Sequence, residues 1–414
     1  MVGGYFAFPG GPGRGERKIT APAPAVAGGP PRFRNWEVRR GCVKGSPRAI
    51  TRERGRTMRT EGKWTAGLAM AVALSFSCGA QSVDPKGAMV AFVEAVAAHA
   101  RAAEPGFGVF PQNAAELGQD PGYLATVTGI GQEDAFYGYQ GPGKKTPEKV
   151  TEQIESDLDR FEAAGKLVLT VDYPFRNRNK PAFSRSVQKK IDRLYSLSAE
   201  RGYVPYATVL NLDWLTMNPG HAPSANHGGI AEWSQVTSFA YQLQPSRGQS
   251  RSGFLAALGA AGYDLLVLDY SFDGSDAEAF TPAEIADLKA QCGGKLLAYV
   301  SIGEAEDYRW YWNQAWDANH DGKPDPGAPA WLGPENPQWP GDYRVRFWDP
   351  AWQAIVFQYV DKVMAQGFDG VYLDTVDTYE YWERHPSKLQ EARARPGQNS
   401  AVETPALRRN QREP

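Results

Sequence analysis

The sequence predicts an α/β fold, a (β/α)8 barrel, on three observations. Short β-prone segments end in acid: Gly131-Gln132-Glu133-Asp134, Val171-Asp172-Tyr173, Leu268-Asp269-Tyr270, Tyr372-Leu373-Asp374 and Leu297 through Glu304. Amphipathic helical stretches separate several of them. Four strands in all precede a turn-rich run at 214–238 and four follow it. Eight strands with covering helices close a sheet and leave no edge exposed, and carboxylates at strand C-termini collect at the barrel mouth. A doubly wound open sheet is the main structural rival.

The elements follow in order. Met89, Phe92, Val93 and Val96 share one face of a helix beginning near Lys86. Gly108–Asn113 is a strand with an exposed polar end, and Thr128–Tyr137 holds a second strand and the loop with Glu133 and Asp134. Thr146-Pro147 starts a helix by cap and first-turn proline, Val150, Ile154, Leu158 and Phe161 form its stripe, and Gly165 stops it. Leu167–Tyr173 is a strand, Val187, Ile191 and Leu194 mark a helix, and Val204–Leu210 is the fourth strand. Pro219-Gly220 and Asn226-His227-Gly228-Gly229 make 214–238 a surface connection. Strands resume at 239–243, 264–270, 295–304 and 368–375. Thr281-Pro282-Ala283-Glu284 is a capping box, and Asp349-Pro350 opens the helix carrying Ile355, Val356, Tyr359 and Val363.

A length of 414 residues suits one barrel, and a net charge of −2 argues against nucleic-acid binding. Residues 1–57 are rich in Arg, Gly and Pro without periodicity, and read as disordered with the true start at Met58. Residues 58–80 read as a signal peptide: a basic start, an apolar run from Leu68 to Phe76, then Ser77-Cys78-Gly79-Ala80. A secreted or periplasmic protein is expected, or an outer-surface lipoprotein through Cys78, although Phe76 is bulky for that motif. No transmembrane segment and no disulfide framework remain in the mature chain, and a monomer is expected. The barrel is placed at 86–388, and the Arg-rich tail at 389–414 reads as disordered.

Three motifs resemble a known family: Tyr299-Val300-Ser301-Ile302-Gly303-Glu304-Ala305-Glu306-Asp307-Tyr308-Arg309, Phe347-Trp348-Asp349-Pro350-Ala351-Trp352-Gln353 and Gly367-Phe368-Asp369-Gly370-Val371-Tyr372-Leu373-Asp374. They are similar to those of the extracellular endo-α-1,4-polygalactosaminidases, glycoside hydrolase family 114, which have a TIM-barrel fold. Tyr241-Gln242-Leu243-Gln244 resembles the family's first strand. Phe107–Asn113 and Gly129–Asp134 resemble segments that the family places after the Leu373-Asp374 strand. The resemblance therefore implies a circular permutation: 86–214 is the family's C-terminal half and 239–388 its N-terminal half. Two truncated tandem copies or a fault in the assembled sequence would give the same text.

Glycosidic cleavage needs paired carboxylates across the scissile bond. The pair expected is Asp374 as nucleophile and Glu133 as general acid, then base, and the resemblance points to the same positions. Burial or the neighbouring Asp134 is expected to raise the Glu133 pKa. Asp269, Asp172, Glu304 and Asp377 complete an acidic cup suited to the ammonium groups of an amino-sugar polysaccharide. Tyr270, Tyr173, Tyr299, Tyr372 and Trp310 are candidates for ring stacking or hydrogen bonding. Arg309 is a further substrate-binding candidate, or a partner of Glu304 that holds the third loop. Asp317, Asn319, Asp321 and Asp325 resemble a calcium loop, but Ala328 stands where the distal glutamate belongs. No cofactor is required, and a structural calcium is the one candidate ion. The competing expectation is a non-catalytic carbohydrate-binding barrel with its carboxyl pair misplaced.

Overall fold

The computed structural model describes residues 83–223 and 229–391. The elements run α1 (Pro85–Ala103), β1 (Gly108–Pro111), α2 (Pro121–Thr126), β2 (Gly129–Glu133), α3 (Glu148–Ala163), β3 (Leu167–Asp172), α4 (Arg185–Glu200) and β4 (Val204–Ala207). Then come β5 (Phe239–Tyr241), α5 (Arg251–Ala260), β6 (Leu265–Leu268), α6 (Pro282–Cys292), β7 (Lys295–Ser301), β8 (Glu304–Glu306), β9 (Leu332–Asn336) and β10 (Trp339–Val345). The chain continues through α7 (Pro350–Gln366), β11 (Gly370–Asp374), α8 (Thr378–Arg384) and α9 (Pro386–Glu391). The described residues lie in one compact unit, 38–414. The readings of 1–57 and 58–80, of Cys78, and of the tail beyond Glu391 fall outside the described residues.

Two parallel arcs make the barrel wall. Five strands bond in the order β1-β11-β7-β6-β5 and three in the order β2-β3-β4. The arcs meet at a parallel bridge from Gln112 to Gly131, beside β1 and β2. They meet again where β4 touches β5 and the Tyr206 ring packs against Phe239 at 5.7 Å. Around the ring the order is β5-β6-β7-β11-β1-β2-β3-β4. This is a (β/α)8 barrel entered at its fifth strand, consistent with circular permutation.

The helices form for the reasons the sequence gives. Pro85 occupies the first turn of α1, which buries Met89, Phe92, Val93 and Val96 against α7 and α8. Thr281 Oγ1 accepts from the Glu284 amide at 3.2 Å, Glu284 Oε2 accepts from the Thr281 amide at 2.8 Å, and Gly293 ends α6 at φ 65. Asp349 Oδ1 caps α7 through the Ala351 amide at 2.9 Å. One cap is corrected. Pro147, not Thr146, precedes α3, and the Thr146 hydroxyl donates instead to the Asp134 carbonyl at 2.6 Å, bracing the loop after β2.

The described residues of 214–238 form the expected surface connection, mostly exposed or half-buried, and it is pinned to the fold where Thr216, Asn218, Ile230 and Val236 are buried. Thr216 Oγ1 and Asn218 Nδ2 donate to the Ala207 carbonyl at the end of β4. Trp233 packs on Phe110 at 5.1 Å, and a Cβ added at Gly108 would meet its ring at 2.4 Å, so this indole sits at the N-terminal end of β1. Sequence reading also missed the antiparallel sheet β8-β10-β9, which follows β7 at its C-terminal end.

Candidate active site

Strand alternation decides which acids reach the mouth. Phe110, Tyr372 and Tyr299 stand in register on one face, and a Cβ at Gly131 would meet the Tyr372 hydroxyl, so this layer fills the barrel interior. Two residues further along each strand come Gln112, Asp374, Ser301 and Glu133. With a side-chain period of two, these four form the next layer up.

Asp374 and Glu133 are held by one amide. Nε2 of Gln112 donates to Asp374 Oδ1 and to Glu133 Oε2, each at 2.9 Å, so those oxygens lie no farther apart than twice 2.9 Å. Gln112, expected at an exposed strand end, is buried. Glu133 Oε2 also accepts from Asn113 Nδ2 at 3.2 Å, and Oε1 accepts from the Tyr173 hydroxyl. Asp374 Oδ1 accepts from the Thr375 amide at 2.8 Å. The loops leave these strands through left-handed backbone at Asn113, Ala114, Asp134 and Thr375, an unusual conformation for a β-branched residue. Thr375 is held there by Ser301 Oγ at 2.9 Å and by the Gly303 amide at 2.8 Å, both on Oγ1.

Burial first, then the Glu133 charge, pushes the Asp374 carboxyl up to about 8. Burial also raises Glu133, opposed by its bonds from Tyr173 and Asn113. The two are one coupled pair that retains a proton at neutral pH. The expected push from Asp134 onto Glu133 is not what raises it. Instead burial, then Glu133 and Asp172, raise Asp134.

The remaining candidates divide. Tyr173 touches Glu133, and the Tyr299 hydroxyl stabilises charged Asp374. Tyr372 lies beneath the pair with its ring 5.0 Å from Tyr241, and is wholly buried rather than presented to a ligand. Asp377 is exposed but sits in a concave mouth. Dense surrounding protein, then Glu304 and Glu133, push it up to about 7. Glu304 accepts from Asn336 Nδ2 at 3.0 Å and is raised by burial.

Three expectations are corrected. Asp172 is fully buried and accepts from the Phe136 and Tyr137 amides at 2.7 and 2.6 Å, so it braces the loop after β2. Arg309 does not pair with Glu304. It clasps Asp269 at 3.0 and 2.8 Å and Glu306 at 2.7 and 3.1 Å, entirely buried. Tyr270 and Trp310 face α7: Tyr270 packs on Tyr359 at 5.0 Å, and Lys362 lies 5.0 Å over the Trp310 ring.

In the acidic loop, Asp317 accepts from Asp321 N, Gly322 N and Tyr343 Oη at 3.1, 2.9 and 2.6 Å. Asn319, Asp321 and Asp325 likewise accept from backbone amides. Among the described residues no group of three or more His, Cys, Asp or Glu is arranged to hold a metal ion.

Sequence reading missed Gln112, Asn113, Glu306 and Asp342. Counting two residues on from Phe110 would have found Gln112. Asp342 stands opposite Glu306 on the mouth sheet, where burial, then Glu306, Glu304 and Asp374, push it well up.

Comparison with known proteins bears on the second half of the chain. The model of the glycoside-hydrolase family GH114 matches residues 220–396, which hold Asp374 and β5 to β11. Residues 220–396 are similar to GH114. Uncharacterized proteins of Methanocaldococcus jannaschii and Thermotoga maritima are each 45% identical, over 145 and 125 residues. These matches cover 35% and 30% of this chain, and 37% and 36% of those proteins. A Deinococcus radiodurans protein is 42% identical over 146 residues, covering 35% of this chain and 42% of its own. The chain thus spans less than half the length of the curated relatives it matches. Among solved structures, Aspergillus fumigatus Ega3 in complex with galactosamine overlaps 28% of this chain and 39% of its own, at 23% identity and a TM-score of 0.22. A cyclic α-maltosyl-(1→6)-maltose hydrolase from Arthrobacter globiformis overlaps 41% of this chain and 45% of its own, at 14% identity and a TM-score of 0.24. Overlaps this slight carry no argument. The segment that matches the GH114 model supplies one carboxyl of the pair, and the residues before it supply the other.

Proposed function

We propose that the protein is an endo-acting glycoside hydrolase that cleaves α-1,4-linked galactosamine-containing exopolysaccharide with Asp374 and Glu133. The carrying observation is the shared Gln112 donor. The bound it sets on the two oxygens agrees with the ~5–5.5 Å of retaining enzymes and falls short of the roughly 6.5–9.5 Å that leaves room for an inverting water. It also favours cleavage over a barrel that only binds, which has no need of a close carboxyl pair.

In the retaining route, Asp374 attacks the anomeric carbon while Glu133 gives its proton to the departing oxygen. A covalent sugar–Asp374 ester forms. Glu133 then takes a proton from water, and that water's oxygen displaces Asp374. The two carboxyls share the bound proton, and cleavage draws on the form that carries it on Glu133. Burial and mutual repulsion raise Glu304, Asp342 and Asp377, so an ammonium-bearing polymer that enters the mouth would favour their charged forms and gain by it.

Export as a secreted or periplasmic protein, or a lipid anchor at Cys78, fits such a polymer outside the cell. Among the described residues no helix is long and apolar enough to cross a membrane.

The test incubates the full chain and its Asp374→Asn variant with deacetylated and acetylated galactosaminan. Fragment release by the wild type alone supports the reading. Equal release by both removes Asp374 as nucleophile, and release by neither removes the activity.

A further inference from the structure

The loops that rise on the two sides of the mouth differ in the side chains they carry. Glu304, Glu306 and Asp342 stand on the sheet that follows β7, beside Asp374 on β11. The loop after β3 carries Arg176, Arg178 and Lys180 and holds no acid between Tyr173 and Ser184. Strands β7 and β3 lie four places apart in the ring of eight, so these structures rise from opposite walls.

A ring contact joins them. Trp339, at the start of β10, places its ring centroid 5.9 Å from the Arg178 guanidinium carbon. Both sides of this contact are anchored. Asn336, at the hairpin turn, donates to Glu304 at 3.0 Å, and its Oδ1 accepts from Arg344 Nη2 at 3.2 Å and from the Gln338 amide at 3.2 Å. Arg178 Nε donates to Asn211 Oδ1 at 3.2 Å, and the Arg178 carbonyl accepts from the Asn211 amide at 2.9 Å. Trp339 nonetheless leaves 46% of its surface exposed. It stands three residues along the strand from Asp342, roughly 10 Å at the usual strand rise. Trp339 is thus set off along the strand from Asp342 by about the length of two sugar units at most.

The geometry points to a remote carbohydrate subsite, built by Trp339 and Arg178 across the mouth, that takes a sugar ring without an ammonium group. The indole offers a flat face for the apolar side of a pyranose, and the guanidinium offers donors but no acceptor. Such a pair accepts hydroxyl and N-acetyl carbonyl oxygens and repels a protonated amine. The acidic wall does the reverse. A polymer bearing both kinds of sugar therefore binds in one register, with a free amine at the acids and an uncharged unit at Trp339. This rests on the proposed reading that the mouth holds a polysaccharide.

The test measures binding rather than turnover. Full chain carrying Asp374→Asn is titrated calorimetrically with two α-1,4-linked galactosamine hexamers, one fully N-acetylated and one fully deacetylated. Adding Trp339→Ala weakens the acetylated hexamer about tenfold. Adding Arg178→Glu moves the preference between hexamers toward the deacetylated one by a similar factor. Melting curves confirm that each variant is folded. Unchanged affinities in folded Trp339→Ala, or an unchanged preference in folded Arg178→Glu, overturn the subsite. Wild-type cleavage is assayed separately, so its absence would remove the proposed reaction while leaving this binding result to stand alone.

Discussion

Glu133 and Asp374, on strands made at opposite ends of the described chain, accept from the same nitrogen of Gln112 at 2.9 Å each. One amide carries two N–H groups, so each carboxyl receives one of them. The spacing of the pair thereby depends on a residue that carries no charge and titrates nowhere.

Replacing either acid separates the two roles. Asp374→Asn should abolish turnover of polymer and of an aryl galactosaminide alike, since it removes the attacking atom. Glu133→Gln should lose on the order of 10²–10⁴ on polymer and recover much of it on the aryl substrate, whose leaving group needs no proton. Steady-state rates on both substrates check this, and the opposite pattern would exchange the assignments.

Gln112→Glu removes the shared donor and adds a third carboxyl. Like charge raises the pair further, so the pH at which the bound proton is lost should move upward. We expect kcat to fall about tenfold or more with a smaller change in KM, because a loosened pair harms the reaction more than binding. A pH–rate profile measures both, and an unmoved profile would make Gln112 mere packing.

Asp172 sits at about 7, far above an unfolded aspartate, because it is buried. The folded protein holds a proton there that the unfolded chain has released. Its contribution is full below pH 4 and is lost as pH rises through about 7. Asp172→Asn keeps an oxygen for the Phe136 and Tyr137 amides and carries no proton to lose. Melting temperatures should match wild type near pH 4 and exceed it near pH 8, by the equivalent of about 4 kcal/mol. Thermal scans at the two pH values decide it.

Arg309→Met leaves Asp269 and Glu306 buried without their cation. Breaking a buried ion pair from one side costs about 3–5 kcal/mol. Denaturant unfolding should show a midpoint lowered to that extent, and a change under 1 kcal/mol would mean that the acids had taken up protons instead.

Much of this was readable in the residues. Acid at strand ends, helix stripes and the Thr281 and Asp349 caps are local signals, and each formed the element it announced. The ring order was legible because β-strand motifs survive being moved along the chain. Asp172 and Asp269 show where reading fell short. Each is followed by a tyrosine, and adjacent strand residues face opposite ways, so neither Asp172-Tyr173 nor Asp269-Tyr270 can send both members into the mouth. Nothing local says that Arg309 turns to Asp269 and Glu306 rather than to Glu304, since the choice is made by tertiary packing. The antiparallel sheet was hidden because β9 and β10 carry prolines and glycines that read as loop, and its register shifts at two places.

The pairing of Gly108 with Gly370 has a consequence during synthesis. In the emerging polypeptide, β1 waits for its neighbour β11 until nearly the whole chain has been translated, with one rim of hydrogen-bonding groups unmet. Non-local pairing of this kind slows folding and leaves a template for adhesion between nascent chains. The ribosome thus delivers the wall of this protein strand by strand around the ring, and its completion is timed by the arrival of the last strand.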